Sequence, residues 1–481
     1  MIRYLKANKR MIGILLLASI LLFAQRIIWV NIGYDTDQYL ADPQQTYDTW
    51  ISSGRYILAF IDYLFGGIWK NLHVANLLTS INTAIYAVLF VGFLNLGNEN
   101  PDKKRDLITA LVLISSPIFL EQYYFTLQAV EMSFSIVLMV STYIATYYWI
   151  VEERKQYSIV IVVLLTLCFG IYQMHVGLYI MGALFVLLKA DDKDSKKNVK
   201  NIIRCIVVWT LALLVYSVIK RIVGYSLNIT DNGYLKSQIG WLNGSFLHAI
   251  YVIARSFGYV LLGYGHVLNL SFSICVIFVL WKIIKSGKCI IWKNFYLIAL
   301  LISPLLINIL FAYELTIRSI LGLPFVCAFV YWLFYRESKW LRVAALVVIL
   351  SQVVNGQLLL YSDHIRYEND VAVAEKIYTD CNADADTVIV IKGMQHPEDT
   401  VFSFKGQVLG RSFFEWTTDE KNADEYRIRY FMQLHGMDYA LPTAEQYQKL
   451  EQVEFTGSFP QEGYIIEDDS CYYVNFADKL K

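Results

Sequence analysis

Two carboxylates separated by one residue, Asp35 and Asp37 in Gly33-Tyr34-Asp35-Thr36-Asp37, stand shortly after an apolar run from Met11 to Val30. Paired acids suit a reaction in which one takes a proton while the other orients a substrate or holds a cation. The next polar segment reads Trp50-Ile51-Ser52-Ser53-Gly54-Arg55 and offers a guanidinium, whose planar fork matches a phosphate. Further along come Ser116-Pro117, Glu121-Gln122-Tyr123-Tyr124, Glu131, then Tyr172-Gln173-Met174-His175, and late in the chain Glu314 with Arg318. Acids beside cations supply the parts of group transfer: a base for an attacking hydroxyl and a fixed charge for a departing anion. Each residue also has a plain reading. Asp35 and Asp37 can cap a helix, Arg55 can anchor to lipid headgroups, His175 can be a hydrogen-bonded structural residue, and Arg318 can pair with Glu314. Glu121 and Glu131 lie at or inside apolar runs, where an ionisable side chain is costly and marks function.

The elements that must position these residues are apolar helices. Apolar residues make up 56% of the chain and prolines number only 8 in 481, with a clearly positive mean hydropathy, which excludes a soluble enzyme on a single anchor. The first run spans about 20 residues, lacks a small-residue cleavage pattern after it, and follows Arg3, Lys6, Lys9 and Arg10. Positive charge stays on the cytoplasmic side, so the N-terminus is expected inside and the acid pair outside. A long outer loop, Asn31 to Asn71, leads to spans at Leu72–Leu96, Asp106–Leu120 and Gln128–Val151. Ser158 to Ala190 suits two short spans broken near Tyr172–His175. Further spans follow at Ile202–Val223, Val267–Ile284, Phe295–Tyr313, Ile317–Tyr335 and Val343–Tyr361, about eleven in all. The basic loops (Lys103 to Arg105; Arg154 and Lys155; Lys193 to Lys200; Lys285, Lys288 and Lys293; Arg336 to Arg342) then share one face. Ser245 to Leu262 would break that agreement as a span, and is read as lying along the surface.

The last 120 or so residues are different material. From Asp363 to the end there are 23 acids against 11 bases, which leaves the rest of the chain with 12 more bases than acids. Thr387 to Ile391, Gly463 to Ile466 and Cys471 to Val474 read as strands, and Val371–Tyr378 and Ala423–Leu434 as helices. The expected architecture is an all-α polytopic membrane bundle over residues 1–361, with a small extracytoplasmic α/β domain over 362–481. Cys381 and Cys471 can pair in that compartment or remain free. No phosphate-cradling glycine loop and no internal repeat is present.

The order of the motifs, the Asp-x-Asp loop, Trp-x-x-x-Gly-Arg, Ser-Pro-x-x-x-Glu-x-Tyr and the Tyr-Gln break, resembles that of the GtrII-like glucosyltransferases, membrane enzymes of GT-C architecture. The resemblance implies transfer of a hexose, glucose, from a polyprenyl phosphate carrier in the outer leaflet to a cell-envelope glycan, with the bilayer as the medium and no nucleic-acid partner. It implies Asp35 as first choice for the base, with Asp37 or Glu121 orienting the acceptor or binding a cation, so a divalent ion is possible. Arg55 is then the foremost phosphate ligand, with Arg318 and His175 behind it, and Tyr34, Trp50, Tyr172 and Gln173 line the sugar. A lipid-linked sugar transporter or flippase would instead need two matching halves, which the sequence lacks. A polysaccharide ligase or polymerase would share the donor and the outer carboxylates.

Overall fold

The computed structural model describes all residues except 99, 192–193, 231–232, 234–236, 265–266, 287–290, 315, 396–403, 417–424, 469–470 and 477–481. Lys193, Lys288 and Ala423 of the sequence reading fall outside the described residues. The described residues are mostly helical, with three short strands among them near the C-terminus. It divides into two compact units, one of residues 1–27, 47–123 and 128–357, the other of residues 28–46, 124–127 and 358–481.

Among the described residues five helices are long and apolar enough to cross a membrane: Leu72–Leu94, Thr126–Ile150, Ser195–Ser226, Ile291–Phe311 and Lys339–Asp380. The bent pair Lys103–Ile114 and Pro117–Tyr123 makes a sixth if counted as one span. Tyr157–Ile171 and His175–Lys189 are the two short helices expected of Ser158 to Ala190, while Ile317–Tyr335, read as a span, forms only the shorter helix Gly322–Phe334. Fifteen helical residues reach only about 22 Å, short of the roughly 30 Å of bilayer hydrocarbon. The burial of the long helices differs widely, from 72% of the apolar window in Thr126–Ile150 to 22% in Ser195–Ser226. The first is therefore a central helix of its unit and the second a peripheral one, with its Leu, Ile and Val side chains facing outward.

Two local expectations are corrected. Asn31 to Asn71 is not a loop but carries three helices, Thr36–Ala41, Pro43–Ser52 and Tyr56–Trp69. Hydropathy hid the first two because their Thr, Gln, Asp and Asn-sized side chains are polar, while the third is too short to read as a span. Glu121, Gln122 and Tyr123 are not in an outer turn but in the buried helix Pro117–Tyr123. Pro117 supplies no amide hydrogen to continue the preceding helix, and the chain bends there by 44°. Ser115 Oγ donates to Gln352 Oε1 at 2.7 Å and fixes the corner.

The break expected near Tyr172 is present: Tyr172 is extended (φ −155°, ψ 120°) between Tyr157–Ile171 and His175–Lys189. The far end of the second of these helices is tied down by its own last residue. Lys189 Nζ donates to the carbonyls of Phe93, Leu94 and Leu96 at 3.3, 2.7 and 3.0 Å. Those carbonyls lie at and just past the C-terminus of Leu72–Leu94, where a cation meets the negative end of the helix dipole.

The second unit is built on a three-stranded sheet ordered β1-β3-β2, with β1 (Val388–Lys392) parallel to β3 (Cys471–Asn475) and β2 (Ile465–Asp468) antiparallel to it. Ile389 and Ile391 face a core with Ala374, Ile377, Phe413, Phe431 and Val474, while Val390 faces a second cluster with Cys471 and Tyr473. Burial on both faces explains why β1 is continuously apolar. Cys381 and Cys471 are both buried, and no disulfide joins them. Burial pushes the Cys381 thiol up to about 12.

A buried ion cluster ties the separate pieces of this unit together. Arg366 donates to Asp363 at 2.5 Å and to Asp370 at 2.8 Å, all three nearly inaccessible. Asp370 also accepts from Ser412 Oγ and the Phe413 amide, and Asp363 from the Gly410 amide and Asn31 Nδ2. Removing the cation strands two buried carboxylates. Arg366→Ala should destabilise the unit by about 3–5 kcal/mol, seen as a lowered Tm of the purified protein. An unchanged Tm would show that the cluster is not structural.

Candidate functional site

The Asp-x-Asp turn lies in the second unit, at the start of Thr36–Ala41. The amides of Thr36 and Asp37 donate to the Gly33 carbonyl at 3.0 and 3.2 Å, which winds the first turn. Asp35 occupies the position preceding the helix in a left-handed conformation (φ 69°) and makes no capping hydrogen bond with its side chain. Aspartate tolerates that region better than most residues, and strain of this kind gathers at functional sites. The freed carboxylate reaches Arg427 at 2.7 Å. Gly33 is required because a Cβ there would sit 3.0 Å from both the ring and the carbonyl of Tyr124. That approach lets the Tyr34 amide donate to Tyr124 Oη at 3.2 Å.

Asp37 differs from its neighbour. Its side chain is fully buried, where Asp35 is 42% exposed. Its Oδ1 lies 3.4 Å from the same Arg427 nitrogen. Among the described residues its Oδ2 has no hydrogen-bond partner, and neither does the buried Thr36 hydroxyl beside it in sequence. Burial raises the Asp37 carboxyl to about 7, with Arg427 pulling it down and Asp35 pushing it up. Arg427 itself stacks over the Tyr34 ring, 4.2 Å from its centre, and Tyr34 leans on Phe413. An acid near 7 with an open oxygen suits general-base work at neutral pH. The two carboxylates converge on a guanidinium, which already supplies the cation that an Asp-x-Asp pair would ask of a metal. No group of three or more potential metal ligands gathers among the described residues.

Arg55, Trp50, Tyr172 and Gln173 come together in the first unit. Pro43–Ser52 ends in a Schellman turn: the Arg55 amide donates to Trp50 O at 2.7 Å and the Gly54 amide to Ile51 O at 2.9 Å, with Gly54 left-handed at φ 85°. The spacing of Trp-x-x-x-Gly-Arg is thus the spacing of a helix stop. It projects Arg55 over Tyr172, 5.2 Å from the ring centre, with Nε buried and unpartnered among the described residues. Gln173 Nε2 donates to Ser53 O at 2.7 Å, and Tyr216 Oη donates to Gly54 O at 3.1 Å, so the helix break holds the turn. Trp50 is buried against Tyr47.

Of the other expected residues, His175 adjoins that cluster through Tyr172, and Glu121, Glu314 and Arg318 are held by other contacts. His175 is fully buried, with Nδ1 3.2 Å from Cys168 O and Nε2 3.2 Å from Ser135 Oγ, and braces the break behind Tyr172. Glu121 is buried in Pro117–Tyr123, which packs on the short turn Ile317–Ser319 that carries Arg318. Glu314 pairs with Arg255 at 3.3 Å. Burial first, then Glu314, Tyr259 and Glu121, push the Tyr264 hydroxyl up to about 12, which sets that acid pair near one phenol. Arg427 escaped the sequence reading altogether. It stands 390 residues from Asp37, in a helix whose short amphipathic pattern marks it only as packed.

Burial makes Asp37 bind its proton more tightly in the folded chain (about 7) than an ordinary carboxylate does (3.8). Its contribution to stability is therefore full below about pH 4 and lost as pH rises through about 7. Asp37→Asn, neutral throughout, should be more stable than the parent above pH 7 by about 1–3 kcal/mol. Thermal melts at pH 5 and 8 check this, and an equal Tm gap at both would refute it. The glucosyl transferase GtrII family model matches residues 27–335, a span that takes in the Asp-x-Asp turn, the Arg55 turn and the Tyr172 break. No curated protein and no solved structure matches the chain. With well over half of its length covered, the chain belongs to the GtrII glucosyltransferase family and is a glycosyltransferase.

Proposed function

We propose that the protein moves a hexose, glucose, from a polyprenyl phosphate donor to a cell-surface polysaccharide on the outer face of the membrane, with Asp37 as the base. The observation that carries this is the buried Asp37 carboxyl, held near 7 with one oxygen open, within the span matched by a glucosyltransferase family. The acceptor hydroxyl attacks the anomeric carbon and gives its proton to Asp37. The bond from that carbon to the phosphate oxygen breaks, and the phosphate leaves on its lipid. Asp35, first choice on sequence grounds, is exposed and engaged by Arg427, which suits it to orienting the acceptor instead. Arg55 is assigned the donor phosphate, because its buried Nε leaves a charge-assisted bond unused. Glu121, Arg318 and His175 keep supporting roles in this reading, as do the rings of Tyr34, Trp50 and Tyr172.

The topology proposed with it is a GT-C-type bundle of about eleven crossings, short helices included, with the N-terminus cytoplasmic and residues 362–481 outside. A lipid-borne donor reaches such a site from the outer leaflet, so the protein acts as a multi-pass component of the cell membrane. Asp37→Asn should lower transfer by about 10²–10⁴-fold, and wild-type transfer should rise with pH through about 7. Radiolabelled glucose passed from synthetic polyprenyl phosphate glucose to cell-envelope polysaccharide measures both, and wild-type rates in the variant would overturn the assignment. Arg55→Ala should raise the apparent KM for that donor more than for the acceptor. An equal rise for both would remove the phosphate contact.

A further inference from the structure

Family membership rests on residues 27–335, yet the cation that faces both acids of the turn is Arg427. Both partners belong to the second unit, and the helix Glu425–Leu434 packs directly on Thr36–Ala41. We infer that Arg427 is a positioning residue for the transfer, bridging Asp35 and Asp37 so that the C-terminal segment completes the carboxylate site. The inference rests on the reading of Asp37 as the base.

Geometry supports it at three points. One guanidinium nitrogen reaches Asp35 at 2.7 Å and Asp37 at 3.4 Å, so a single group sets the spacing of both carboxylates. The plane of that guanidinium is fixed by Tyr34, the residue before the pair, at 4.2 Å from the ring centre. The side chain is 11% exposed, so its charge is poorly screened by water. Neighbouring groups on the same helix are turned elsewhere. Arg429 donates to Tyr439 O and Asp438, and Tyr430 to Gln45. The charges acting on Asp37 are thus Arg427, which favours its ionised form, and Asp35, which opposes it. Arginine suits this place over lysine, because its guanidinium stays charged and lies over the Tyr34 ring, while an ammonium is a compact, strongly hydrated point charge.

The test reads Asp37 directly and separately from catalysis. Full-length protein in lipid nanodiscs is titrated from pH 5 to 9 while the infrared carboxylic-acid C=O band of Asp37 is followed, assigned by its loss in Asp37→Asn. Arg427→Gln should move the midpoint of that band upward by about one pH unit or more, a roughly tenfold gain in proton affinity, because Asp37 then faces Asp35 without a counter-charge. Arg427→Lys keeps a cation and is the variant retained if Arg427→Gln does not fold; it should shift the midpoint upward by less. An unmoved midpoint in the folded variants overturns the inference. The pH–rate profile with synthetic polyprenyl phosphate glucose then separates the two readings. A profile that follows the band supports both, whereas a moved band with an unmoved profile removes Asp37 as the base and, with it, the part assigned to Arg427 in the transfer.

Discussion

A single buried guanidinium, Arg366, governs where the acid turn lies. A cation taken out of water needs carboxylates, and it has two, Asp363 and Asp370, one on either side along the same helix. Those carboxylates have lone pairs to spare, and the low-dielectric setting makes it costly to leave them unused. They are used to fix two other stretches of chain: Asn31 on one side, and Gly410, Ser412 and Phe413 on the other. Asn31 precedes the Gly33–Asp37 turn by two residues, and Phe413 supports Tyr34. The register of the acid turn thus follows from satisfying one desolvated charge.

The acid pair shows how one cation and unequal burial divide two like residues. Asp35 is partly in water and paired with Arg427. Asp37, two residues on and at the first turn of a helix, is buried and resists ionisation. Helix geometry turns neighbours at this spacing to different faces, so an Asp-x-Asp sequence at a helix start exposes one and buries the other. A protein that wanted only stability would place asparagine at the second position. The retained carboxylate with its open oxygen is the kind of local cost that active sites carry.

The five or six long apolar helices were legible because composition and periodicity act over many residues at once. The Tyr172–His175 break was legible too, since Ser158 to Ala190 is too long for one helix and short for two. Strands at residues 388, 465 and 471 announced themselves through β-branched and aromatic runs. Illegible were the helices at Thr36–Ala41 and Pro43–Ser52, whose polar faces imitate a loop, and the depth of Asp37 against Asp35, which depends on a distant helix. The Trp-x-x-x-Gly-Arg motif could be read as chemistry from the sequence. Its spacing turned out to be that of a helix C-terminal stop, which then delivers the arginine. Arg427 left no local signal, because nothing within its own segment records what it touches.

The second unit is assembled from pieces separated by most of the chain, and that has a bearing on biogenesis. A ribosome adding about 5–20 residues per second delivers Arg427 some 20–80 s after Asp37, since 390 positions lie between them. Through that interval the nascent polypeptide has its acid turn but neither Arg366 nor the sheet that the turn is built upon. The second unit is therefore complete only once the final tenth of translation is under way.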